Sequence, residues 1–133
     1  MKKISITLMA LAILFASTSS FAFATDNKVV EKARTVIDNA SPDDWYAYAK
    51  SAQMCIRKNV NMKEAAEWLD KSLAIKKDVF NLEVKGDYYV LNNLPEKALE
   101  YYVMAATVAK ENDINANTSA LQEKIVKASK LRS

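Results

Sequence analysis

No histidine occurs among the 133 residues. Its absence removes the usual general base near neutral pH, the Ser-His-Asp and Cys-His arrangements, and the commonest zinc ligand. Carboxylate pairs remain for acid–base or glycosidase chemistry, Asp43 with Asp44 and Glu64 with Glu67. The first pair falls where a helix opens and the second on a polar helix face, so capping and solvation account for both. Cys55 is the single cysteine. Its place between Met54 and Ile56 reads as a small buried side chain, with an intermolecular disulfide as the alternative. Six tyrosines and two tryptophans invite ligand stacking, as in sugar or base binding. Four of the tyrosines are neighbours, Tyr88-Tyr89 and Tyr101-Tyr102. Adjacent helical residues point about 100° apart, so one of each pair packs inward and the other is left to meet a ligand. These residues define no enzyme and imply no cofactor and no metal.

The elements that position them are helices. One glycine and two prolines leave almost no material for β-hairpin turns or phosphate-cradling loops, which predicts an all-α fold. Val29, Val30, Ala33, Val36, Ile37 and Ala40 recur at three- and four-residue intervals and predict a first helix over 26–40. Ser41-Pro42-Asp43-Asp44 supplies a capping hydroxyl, a first-position proline and two carboxylates, which predicts a second helix from Pro42. Its apolar stripe is Trp45, Tyr48, Ala49, Ala52, Cys55 and Ile56. A third helix spans about 62–76, and Asp78 is placed to cap a fourth that runs to Leu91. Pro95 opens a fifth. Asn117 or Thr118 caps a sixth, over 117–131, with Leu121, Ile125, Ala128 and Leu131 inward.

Two of these hairpins repeat. Ala65, Leu69, Ser72 and Leu73 recur 33 residues later as Ala98, Tyr102, Ala105 and Ala106, and each copy has an asparagine turn before its second helix, Asn59-Val60-Asn61 and Asn92-Asn93-Leu94. A repeat of this length builds stacked helical hairpins, which usually present a binding surface. Gly86-x2-Tyr89 followed by Ala98-x3-Tyr102 and Ala105 resembles the tetratricopeptide repeat. Residues 79–112 are the better copy; residues 46–78 are a weaker one, with Gln53 at the small position and Ile56 where the tyrosine would stand. Residues 26–40 and 117–131 would cover the two ends of the stack. The resemblance implies a concave groove lined by the first helix of each hairpin, at Ala47, Lys50, Met54 and Arg57, then Phe80, Glu83, Asp87 and Val90. Such a groove is basic at one end and acidic at the other. It suits an amphipathic helix or an extended segment of another protein, while plain solvation of the same charges is the alternative.

The N-terminus reads as a signal peptide: Met1-Lys2-Lys3, an apolar run from Ile4 to Phe15, Ser17 to Ser20, then Ala22-Phe23-Ala24. The apolar run is shorter than the roughly 18 residues needed to span a bilayer, so cleavage after Ala24 and a periplasmic or secreted domain over 25–133 are expected, without stable membrane insertion. Lys2 and Lys3 would leave with the signal, taking the formal charge from +3 to +1 and arguing against nucleic acid. The expected role is a protein–protein interaction module. A small-molecule carrier, its ligand held in a cavity lined by Trp45, Trp68 and Tyr89, and a structural homodimer are the alternatives.

Overall fold

In a computed structural model, the backbone is described for residues 17–132 and the side chains for residues 26–132. The expected signal segment falls outside that description, residues 1–16 altogether and residues 17–24 in their side chains. Six helices make up the described chain: α1 (Ser17–Asp38), α2 (Trp45–Lys58), α3 (Met62–Ile75), α4 (Val79–Leu91), α5 (Pro95–Asn112) and α6 (Ser119–Leu131). Each packs on the next, and α4 also rests on α2, so the architecture is a stack of antiparallel helical hairpins. None of the described helices is long and apolar enough to cross a membrane.

The turns explain how so little glycine suffices. Asn59, Asn61 and Asn93 adopt left-handed backbone at φ 53°, 50° and 55°, a conformation asparagine tolerates better than other non-glycine residues. Asn59 ends α2 by donating its N–H to the carbonyls of Cys55 and Ile56. Helix α2 starts later than Pro42. The Ser41 hydroxyl is spent on the Asp43 carboxylate (2.5 Å), and Asp44 accepts the Ala47 N–H (2.9 Å), so Asp44 is the cap. At α4 Asp78 caps as expected, and Asn81 completes a capping box. Asn117 accepts the Ser119 N–H at 3.0 Å in front of α6, while Thr118 makes no side-chain cap.

The interior is divided in two. One cluster joins Ala33 of α1, Ala52, Cys55 and Ile56 of α2, Ala65 and Leu69 of α3, and Val84 of α4. The other joins Leu82 of α4, Ala98, Tyr102 and Ala105 of α5, and Leu121 and Ala128 of α6. The 33-residue register holds in burial: Ala65 and Ala98, Leu69 and Tyr102, Ser72 and Ala105 are all buried. Leu131, expected inward, is 62% exposed, because α6 ends beyond its last buried turn at Ala128.

Buried polar groups tie the units. Ser51 Oγ of α2 donates to the Ala33 carbonyl of α1 (2.9 Å). Ser72 Oγ of α3 donates to the Trp45 carbonyl (2.7 Å) and accepts from Asn81 Nδ2 of α4 (2.9 Å). Asn81 also donates to the Lys76 carbonyl (2.7 Å), so one buried amide fixes how α4 leaves α3.

Candidate functional site

The outer face of α2 carries Lys50, Met54 and Arg57, and that of α4 carries Phe80, Glu83, Asp87 and Val90. Helical spacing puts each set on one side of its helix, with Cys55, Ala52, Leu82 and Val84 turned into the core. The residues of the two sets fall in different surroundings. Arg57, Asp87 and Val90 come together with Ile56, Leu91 and Tyr102 around a cleft of about 290 Å³ between α2 and α4. Met54 instead lines a second cleft, of about 370 Å³, between α1 and α2, which Arg57 shares with Lys28, Val29, Lys32 and Lys58. Phe80 sits at the other end of α4, its ring 5.1 Å from that of Tyr46 and packed on the first cluster. Lys50 is half-buried, with Nζ 3.4 Å from Gln53 Oε1.

The acidic half differs from the expectation of an open anionic end. Lys124 of α6 donates to both Asp87 oxygens (2.6 and 2.8 Å) and lies 2.8 Å from Glu83 Oε1. Tyr102 of α5 donates its hydroxyl to Asp87 Oδ1 at 2.7 Å. These carboxylates therefore hold α6 against α4 and α5 and are partly neutralised by Lys124. Burial alone would lower the Lys124 ammonium, but its hydrogen bonds and attraction to Asp87 and Glu83 outweigh that and raise its pKa. Burial, and then the Asp87 hydrogen bond and charge, push the Tyr102 phenol well above the ordinary tyrosine range.

Lys124, the Tyr102 hydroxyl, Lys28, Lys32 and Lys58 are the residues that sequence reasoning missed. A signal existed for Lys124. It follows Leu121 by three residues and precedes Ala128 by four, which places it at the edge of the inward stripe rather than on the solvated face. Lys28 and Lys32 likewise stand one turn apart beside the half-buried Val29.

The remaining reactive residues are occupied structurally. Cys55 is fully buried, and burial followed by the nearby Glu64 charge pushes its thiol up, away from the reactive thiolate. Glu64 pairs with Arg34 (2.8 and 3.0 Å), and the hydrogen bonds from Arg34 and Asn61 hold its carboxyl below the usual range. Trp68 packs on the first cluster and Tyr89 on the second, so these two aromatic residues serve different cores. Of the tyrosine pairs, Tyr102 is buried and Tyr101 half-buried as expected, whereas Tyr88 and Tyr89 are both half-buried. Those two rings lie 5.3 and 5.4 Å from the buried Lys85 ammonium, which pairs with Asp70 Oδ1 at 2.6 Å. Among the described residues no group of three Cys, Asp or Glu side chains is placed to hold a metal ion. Comparison with protein-family models, with curated proteins and with solved structures finds no match.

Proposed function

We propose that this chain is a non-catalytic protein–protein interaction module of the cell envelope, exported by its N-terminal segment and related in design to the tetratricopeptide repeat. The observation that carries the reading is the cleft between α2 and α4. Ile56, Val90 and Leu91 give it an apolar floor, Leu91 is 46% exposed, and Arg57 lies at its rim with an exposed side chain. An open apolar floor beside a cation suits a partner segment that offers an apolar anchor and a carboxylate. The test is site-specific photo-crosslinking in living cells, with the crosslinker at Val90 or Leu91 and, as a control, at exposed Glu96. A discrete adduct from the first two positions, absent from the third and lost on Arg57→Glu, is expected. Absence of any adduct from the first two positions would remove the reading.

One further observation supports the structural homodimer as a second reading. Ile114, Val126 and Leu131 are 75%, 50% and 62% exposed towards the α6 end of the stack, where self-association would cover apolar surface. Sedimentation equilibrium of wild type against a Val126→Glu, Leu131→Glu variant decides it, because only a dimer built on that end would dissociate.

A further inference from the structure

We propose that the cleft between α1 and α2 seats an acidic amphipathic helix of a partner protein, in the place a further hairpin helix would occupy. The proposal rests on the reading of the chain as an interaction module and specifies the partner's chemistry. In this stack α4 lies against both α2 and α3, the two helices before it. By the same register, the helix before α1 would lie against α1 and α2. Among the described residues nothing fills that place, and the cleft of about 370 Å³ opens there. Its floor is Val29 and Met54, both half-buried, so apolar surface is ready to receive an anchor side chain.

Charge selects the occupant. Lys28 and Lys32 of α1 line one side, Arg57 and Lys58 of α2 the other, and no acidic residue lines the cleft. Among the described residues, none of these four cations forms an ion pair. The carbonyls at the C-terminal end of α2 favour Arg57 and Lys58, but they leave the two α1 lysines facing them without compensation. A helix with an apolar stripe flanked by carboxylates one turn apart matches the floor and both rims. The chain's own first 25 residues contain no acidic side chain, so they do not meet this charge pattern.

The test uses the protein as isolated from cells and a synthetic helical peptide with leucines along one face and glutamates on both sides of them. Fluorescence anisotropy should show salt-sensitive binding. Backbone amide shifts should move at Lys28, Val29, Lys32, Met54 and Lys58. Lys28→Glu, Lys32→Glu and Lys58→Glu together should weaken binding by about tenfold or more, with circular dichroism unchanged. A peptide with lysines in place of the glutamates should bind only that triple variant, a rescue that a merely unfolded variant cannot give. Shifts confined to Val90 and Leu91, no binding of the acidic peptide, or binding indifferent to the triple variant would each overturn the proposal. So would salt-sensitive binding of phosphatidylglycerol vesicles, but not of the peptide. A specific photo-crosslink at Val90 or Leu91 together with no binding of the acidic peptide would leave the interaction module standing and remove this seat alone.

Discussion

Gly86 shows how much one hydrogen atom can decide. A Cβ built there would lie 2.3 Å from Tyr102 Cε1 and 2.5 Å from Cδ1, because the tyrosine ring of α5 packs directly against the glycine of α4. Alanine is the better helix former by about 1 kcal/mol, yet Gly86→Ala is expected to destabilise the protein by roughly 1–3 kcal/mol through overpacking. Denaturant titration checks the sign, and Gly86→Ala placed on Tyr102→Leu should recover most of the loss, since the clash belongs to the pair. Lys85 offers a contrasting case. Its ammonium is buried and Asp70 is largely exposed, so Lys85→Met removes the burial problem together with the charge and should be near neutral. Asp70→Ala leaves the buried ammonium without its carboxylate and should cost roughly 1–3 kcal/mol. Equal melting temperatures for the two variants would contradict this assignment. The importance of Gly86 was legible in the sequence as the small residue of a repeat. Lys85 was not, because a lysine in a helix gives no sign of which distant carboxylate reaches it.

Helix α6 is held on by a few side chains that act together. Leu121 and Ala128 bury against α5, and Lys124 bridges to Glu83 and Asp87, the latter also held by Tyr102. Lys124→Ala leaves two neighbouring carboxylates without their cation and is expected to cost about 1 kcal/mol for these partly exposed groups. Hydrogen exchange should localise the loss to α6. Both Lys124 and Tyr102 have pKa values raised above 10.5 and 10.0. The stability they add is therefore complete below about pH 10 and declines as pH rises above those values, because the unfolded chain loses protons that the native one keeps. Alkaline unfolding followed by circular dichroism should show this decline, and Tyr102→Phe should flatten it. A tyrosinate titration in which all six tyrosines ionise before unfolding would refute it. Helix boundaries, by contrast, were legible wherever a side chain caps its own helix, as Asp78 does. Pro42 misled because its preceding serine bonds to Asp43, a choice between two near neighbours that spacing alone does not settle. The acidic groove residues misled for a longer-range reason: their partner, Lys124, lies 37 residues from Asp87.

Across the whole molecule, the 33-residue register anticipated the burial of Ala65, Leu69 and Ser72 and of their counterparts Ala98, Tyr102 and Ala105, and composition anticipated that the described residues are helical. The two clefts on the outer face, one between α1 and α2 and one between α2 and α4, depend on how distant helices pack, which no local pattern encodes. The proposed export makes a separate claim on the N-terminus. N-terminal sequencing of the native protein should begin at Thr25, and an intact Met1 end in the soluble cytoplasmic fraction would contradict it. Because each helix packs chiefly on its successor, most native contacts close short loops. Chains with that topology collapse and order on the microsecond-to-millisecond scale. The two interiors, one around Cys55 and one around Tyr102, also touch through few helices, so the chain has a built-in point of parting. Native-state thiol labelling reads it directly. With its one thiol confined to the first interior, the protein should react with a thiol reagent only as fast as that half opens, whatever loosens α6 at the far end.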